Sequence, residues 1–280
     1  MLMAGKKIRA MEASNGLSGL IVENVKADGK EYDAMWLSSL CDSTFKGKPD
    51  NESVEFADRV RTIEEIFEVT SKPMIVDGDT GGKIQHFVMH VKTLERLGVS
   101  AVVIEDKTGL KQNSLLGEKG VQILEDKEVF AEKIKCGKAA VQTDDFMIIA
   151  RIESFIAGKT LEDALERAAC YVEAGADAIM IHSYKNDGKE IIDFLRVFKK
   201  EYPNVPVVLV PTTYSSFTES KLHALGADIV IYANHLLRSA YKNMVNAATQ
   251  ILVEESAAGA SEEYCVSMSE ILGLIGDKND

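Results

Sequence analysis

The chain has 280 residues, 46% hydrophobic and 27% charged, a balance that excludes a disordered or fibrous protein and allows one large domain or two small ones. Its 32 Lys and Arg against 44 Asp and Glu leave a formal charge of -12, which disfavours nucleic acid and anionic membrane surfaces, because both need clustered positive charge. Cys41, Cys136, Cys170 and Cys265 are far apart and form no CxxC pair, no run approaches the roughly 20 apolar residues of a membrane span, and MLMAGKKIRAME lacks a signal peptide's apolar run, so a cytoplasmic protein with reduced thiols is expected.

In chain order, eight short apolar runs bounded by turn residues read as strands: IRAMEA (8–13), AMWLSS (34–39), PMIVDGD (73–79), AVVIED (101–106), MIIARIE (147–153), AIMIHS (178–183), PVVLVPT (206–212) and DIVIYAN (228–234). Most are continuous rather than alternating, as parallel strands covered on both faces should be. Between them, SVEFADRVRTIEEIFEVT, QHFVMHVKTLERLG, TLEDALERAACYVEAG and KEIIDFLRVFKKEY repeat apolar residues at three- and four-residue spacing and read as helices. Three joints, LGVSA (97–101), AGADA (174–178) and LGADI (225–229), put Gly where a helix C-cap needs a left-handed residue, followed by a two-residue step into the next strand. The alternation predicts an α/β (β/α)8 TIM-type barrel in one domain over 1–280, with a doubly wound open sheet as the rival. After the eighth strand come a helical stretch from His235 to about Glu255, the small-residue linker SAAGAS and an amphipathic segment, EEYCVSMSEILGLIG. That gives 256–280 as a C-terminal helical extension with one more helix than a barrel needs.

Barrel chemistry collects at the C-terminal ends of the strands. There stand Asp77 and Asp79, Glu105 and Asp106, Arg151 and Glu153, His182, Thr212 and Thr213, and Asn234 and His235. Asp77 and Asp79, two apart on a strand, should share a face, with Glu105 on the next strand aimed at the same spot. Crowded carboxylates repel unless a hard cation sits among them, and oxygen-only ligation suits Mg2+ or Mn2+. The alternative is that these acids cap helices or pair with Arg and Lys. The twenty-residue stretch KTGLKQNSLLGEKGVQILED, with Gly109, Gly117 and Gly120, has no clear period and reads as a functional loop or lid. Its Lys107, Lys111, Asn113 and Ser114 are donors suited to an anionic substrate. His86 and His90 have the spacing of paired zinc ligands, but HFVMH lacks the Glu of a zincin, so both read as packing or surface residues. No P-loop, dinucleotide fingerprint or GxSxG is present.

VDGDTGG followed by EDKTGLKQNS (105–114) resembles the phosphoenolpyruvate mutase branch of the isocitrate lyase superfamily, whose signature is EDK, five residues, then NS. Matching landmarks run from about residue 11 to 240. The resemblance implies Mg2+, with Mn2+ a possible substitute, bound directly by Asp77, with Asp79, Glu105 and Asp50 holding its water shell. It implies a substrate carboxylate gripped by the WLSSL segment, Trp36, Ser38, Ser39 and Leu40, and a phosphoryl group handled by Arg151 and His182. Lys111, Asn113 and Ser114 would lie on a gating loop, Asn113 orienting the phosphoryl group. Also implied are a homodimer or homotetramer whose last helix is swapped between subunits, and a small anionic substrate. The reaction would move phosphorus from oxygen to carbon between phosphoenolpyruvate and 3-phosphonopyruvate, with a downstream enzyme consuming the product. Departures fall at Leu37, where the family often has a small residue, and at DTGGK in place of DTGYG. Phosphonopyruvate hydrolase is the nearest rival, and there a Thr stands at the position of Asn113. The lyase branch carries a Cys in a KKCGH-type segment, which KTGLKQNS lacks. A non-catalytic barrel subunit is disfavoured by the full set of acids.

Overall fold

The computed structural model describes residues 2, 5–108, 111, 113, 114 and 122–276. Every expected strand forms, as β1 (Ile8–Glu12), β4 (Ala34–Leu37), β5 (Met74–Asp77), β6 (Ala101–Glu105), β7 (Met147–Ile152), β8 (Ala178–Ile181), β9 (Val207–Leu209) and β10 (Ile229–Tyr232). A two-stranded antiparallel hairpin, β2 (Lys26–Ala27) with β3 (Lys30–Glu31), lies outside the barrel sheet. The eight longer strands pair in parallel in the order β1, β10, β9, β8, β7, β6, β5, β4 and close, with β1 on β4. Closure excludes the open sheet: the molecule is a (β/α)8 TIM-type barrel.

The four helices read from periodicity appear as α3 (Phe56–Phe67), α4 (Ile84–Arg96), α6 (Leu161–Glu173) and α7 (Lys189–Glu201). Four more were not separately expected: α1 (Gly16–Asn24), α2 (Ser39–Phe45), α5 (Lys127–Lys138) and α8 (Glu219–Ala224). The three near-identical joints are Schellman caps. Gly98, Gly175 and Gly226 take φ of +88°, +97° and +112°, and the following residue's N–H donates back to Leu94, Tyr171 and Leu222 at 3.1, 2.9 and 3.1 Å. Each turn thereby satisfies orphan helix carbonyls and feeds the chain into the next strand.

Side chains alternate along each strand, so one parity fills the barrel and the other meets the helices. Ala10, Ala34, Ile75, Val103, Ile149, Met180, Val208 and Ile231 belong to one buried interior cluster. Two residues further along, the same parity delivers Glu12, Trp36, Asp77, Glu105, Arg151 and His182 to the C-terminal mouth. The lumen is therefore apolar below and polar at one end.

Residues Asn234–Asp280 form a second compact unit, with α9 (His235–Glu254), α10 (Ala258–Tyr264) and α11 (Met268–Leu274). Here the linker expectation needs correcting: α10 begins inside SAAGAS, because Ala, Gly and Ser are small enough to pack the turn back onto α9. The expected single amphipathic segment is split at Cys265–Ser267, where Ser267 accepts from the Glu270 N–H as the N-cap of α11. Among the described residues no helix is long and apolar enough to cross a membrane.

Candidate active site

Asp77 ends β5 on the interior parity. Its Oδ2 accepts from the Ser39 hydroxyl at 2.8 Å and the Ser39 N–H at 3.3 Å, and its Oδ1 accepts from the Asp79 N–H at 3.2 Å. Ser39 stands here because Ser38, the N-cap of α2, turns the chain off β4 at the barrel rim. Asp79 is not on the strand, contrary to the expectation of a shared face: β5 stops at Asp77, and Asp79 sits in a turn at φ +55°. The turn still returns its carboxylate to the mouth, where Oδ2 accepts from Arg59 Nη1 at 2.7 Å. The same Nη1 donates to the Asp77 carbonyl at 2.8 Å. From another side, Lys133 on α5 donates to the Thr80 carbonyl at 2.9 Å.

Lys111 reaches into this acidic pole. Its ammonium is hydrogen-bonded to Asp79 Oδ1 and the Ser39 hydroxyl, and lies 3.2 Å from Asp50 and 4.0 Å from Asp77. Burial alone would raise the pKa values of Asp77 and Asp79. Lys111, with Arg59, outweighs it and holds both below the usual carboxylate range. Glu105 behaves in the opposite way: burial pushes its carboxyl up to about 7 against the pull of Arg151, Lys111 and Lys107. Both Glu105 oxygens are buried with no hydrogen-bond partner among the described residues, 3.4 Å from Lys107 and from Arg151.

A second, more basic pole is built around Ser114. Its hydroxyl donates to Glu153 Oε2 at 2.5 Å and accepts from Lys107 Nζ at 3.0 Å and Arg151 Nη2 at 2.8 Å. His182 Nδ1 lies 3.0 Å from both Arg151 Nη2 and Glu153 Oε1. Burial and then Arg151 keep the imidazole's pKa below its ordinary value. Burial would raise Glu153, but Arg151 and His182 hold it well below the carboxylate range. Asn113 belongs to the acidic side, its amide donating to Asp50 Oδ2 at 2.9 Å. A phosphoryl-sized anion could be held by Arg151 and His182 while a carboxylate or enolate met the acid-and-cation pole.

The phosphoenolpyruvate phosphomutase family profile matches residues 2–252. The chain belongs to this family. It is similar to a phosphoenolpyruvate phosphomutase of Tetrahymena pyriformis, 36% identical over 268 residues that cover 95% of this chain and 86% of that protein. It is as similar to a phosphonopyruvate hydrolase of Variovorax sp. (strain Pal2), 36% identical over 283 residues that cover 99% and 93%. A solved phosphonopyruvate hydrolase in complex with oxalate and Mg++ superposes with a TM-score of 0.87 at 33% identity, covering 99% of this chain and 92% of that one.

For this member of the phosphomutase family, Asp50, Asp77, Asp79, Lys111, Asn113 and Ser39 come together at one pole, and Glu105, Arg151, His182 and Ser114 at the other. Ser38 is buried as a helix cap, Leu40 is half-buried, and Trp36 is buried on the interior parity, its indole N–H without a partner among the described residues. Leu37 has the opposite parity to Trp36 and lies outside the interior cluster, so this departure bears on helix packing rather than on the lumen. Gly109, Gly117 and Gly120 of the expected lid lie outside the described residues. His90 stacks on Phe56 at 3.7 Å between ring centroids, the packing role its surroundings suggested.

The expected cluster of metal ligands is interleaved with cations: among the described residues, no three His, Cys, Asp or Glu side chains are grouped so as to hold a metal ion. The Lys111 ammonium takes the central place instead. The donor set nevertheless fits a hard cation, since a positive charge already sits among Asp50, Asp77 and Asp79, and the buried Glu105 oxygens accept no hydrogen bond from the described residues. Sequence reasoning missed Arg59 and Lys133 and gave Glu153 no role. For Glu153 the signal was available, because it stands two residues past Arg151.

Proposed function

We propose that this chain is a phosphoenolpyruvate mutase, interconverting phosphoenolpyruvate and 3-phosphonopyruvate at the barrel mouth. The observation that carries the reading is Asn113 hydrogen-bonded to Asp50 beside the acidic pole, at the position where the hydrolase branch has Thr. Ser38, Ser39 and the backbone around Leu40 bind the substrate carboxylate, and Arg151, His182 and Asn113 hold the phosphoryl group. As the bond from phosphorus to the C2 oxygen breaks, a pyruvate enolate forms, and its C3 takes the phosphoryl group to make the C–P bond. No water is consumed and no covalent nucleophile is needed, because a loose, metaphosphate-like transfer requires positioning and charge stabilisation. Asp77, with Asp79, Glu105 and Asp50 around it, would hold Mg2+, or Mn2+ in its place, whose charge offsets that of the enolate. Lys111, Ser114 and Lys107 are buried where they meet the mouth, which supports a site closed to water, the competing acceptor.

Phosphonopyruvate hydrolase is the second reading, favoured by a similarity equal to that of the mutase. Phosphorus NMR with phosphonopyruvate, with and without Mg2+, tests both. The mutase yields a phosphoenolpyruvate resonance; inorganic phosphate without phosphoenolpyruvate sinks it. The C-terminal unit exposes Tyr241, Met244, Leu252 and Val253, which supports helix exchange in a dimer or tetramer. Light scattering that gives 30.7 kDa, the mass of one chain, would contradict it. The mutase would be coupled to an enzyme that consumes phosphonopyruvate.

A further inference from the structure

Two cations touch the Asp79 carboxylate, and they differ in how they are held. Lys111 comes from the connection between β6 and α5. Arg59 is on α3, is 5% exposed, and is fixed at both ends. Its Nη1 bridges the Asp77 carbonyl and Asp79 Oδ2 at 2.8 and 2.7 Å, and its Nε lies 3.5 Å from Asp42 Oδ2. Asp42 is itself fully buried and tied down by Lys46 and by the Thr62 hydroxyl at 3.0 Å. Arg59 is thus part of the barrel wall. It neutralises Asp79 and leaves the Asp77 carboxylate to Ser39 and Lys111.

We infer that Arg59 is a resident counter-charge that weakens divalent-cation binding at Asp77 and Asp79 until an anionic ligand is present. The inference rests on the reading that a divalent cation binds at this acidic pole. Asp50, Asp77 and Asp79 already face Lys111 and Arg59 there, which leaves one uncompensated negative charge, so a dication arriving alone brings surplus positive charge into a buried place. Displacing Lys111 relieves part of this, while Arg59, buried in the barrel wall and bonded to the Asp77 carbonyl, stays in place. A small dianion arriving with the metal relieves the rest. Binding of cation and anion is therefore synergistic, and the guanidinium sets the size of the synergy.

Mn2+ binding to the full chain, followed by the electron paramagnetic resonance signal of free Mn2+ with and without oxalate, tests this in the wild type, Arg59→Gln and Arg59→Lys. In the wild type, oxalate should tighten Mn2+ binding by about tenfold or more. Arg59→Gln should bind Mn2+ alone about tenfold more tightly than the wild type and gain less from oxalate. A merely structural arginine would give the opposite, weaker binding on removal. Arg59→Lys keeps the charge and should stay within about threefold of the wild type. Unchanged or weaker Mn2+ binding by folded Arg59→Gln overturns the inference alone. A wild type that binds no Mn2+ even with oxalate overturns the cation reading and the inference with it. If Arg59→Gln does not fold, Arg59→Lys decides: retained affinity supports the counter-charge, and a loss of about tenfold overturns it.

Discussion

Asn113 donates its side-chain amide to Asp50 Oδ2 at 2.9 Å, tying the connection after β6 to the one between α2 and α3. Both residues lie on connecting segments, so the bond orders the mouth without contributing to the core. Asn113→Ala should lower turnover by about 100-fold through misplacement of the phosphoryl group, with little change in melting temperature. A parallel loss of stability would make the role structural. Asn113→Thr should raise the ratio of inorganic phosphate to phosphoenolpyruvate formed from phosphonopyruvate; an unchanged ratio removes Asn113 as the determinant of the acceptor.

Asp77 is the acid whose carboxylate Arg59 leaves uncovered. Asp77→Asn preserves shape and one acceptor oxygen while removing the charge. Turnover and Mn2+ binding should both be lost in a protein that still folds by circular dichroism. Near-normal activity would rule out Asp77 as the metal ligand.

Gly137 on α5 is a packing requirement. A Cβ there would lie 2.4 Å from Phe87 Cε1 and 2.8 Å from Ile148 Cδ1, in the layer where α4 and α5 meet β7. Gly137→Ala should destabilise the fold by about 1–3 kcal/mol through overpacking, despite Ala's better helix propensity. Urea unfolding measures it, and a stabilised variant would mean that the layer has slack.

Asp228 links the ends of three strands: its carboxylate accepts from Lys7 at 2.7 Å, Lys199 at 2.9 Å and the Val207 N–H at 2.9 Å. Partial burial opposes ionisation, but these donors win and hold the pKa below the ordinary 3.8. A depressed folded-state value means that the stabilisation is fully present above about pH 4 and is lost as pH falls through the folded value. Asp228→Asn should accordingly be less stable than the wild type at about pH 6, with the gap closing towards about pH 3. A gap independent of pH would assign the effect to geometry rather than charge.

The barrel and half of its site are legible in the sequence because both follow from periodicity. Asp77, Glu105, Arg151 and His182 could be placed at the mouth because each ends an apolar run. Asp79 was misassigned to the strand, since a pattern of alternate residues cannot register that Gly78 ends the pairing and a left-handed turn brings the acid back. Arg59 was illegible for a different reason. In FADRVRTIEEIF it reads as one more charge on a solvated helix face, and only tertiary packing over Asp42, Asp77 and Asp79 reveals a buried cation. α2 and α8 are too short, at seven and six residues, for a helical period to emerge.

The single lumen-facing parity that carries Asp77, Glu105, Arg151 and His182 also constrains how this protein can change. Inserting one residue within β6 would put Ile104 in the place of Glu105, and deleting one within β7 would put Ile152 in the place of Arg151, and each would turn a polar side chain from the mouth into the helical layer. Such changes would disturb the mouth and the packing together. Substitutions in the connections after β5 and β6 leave the strand register, and so this parity, unchanged. The connecting segments can therefore be altered while the strands stay as a fixed frame.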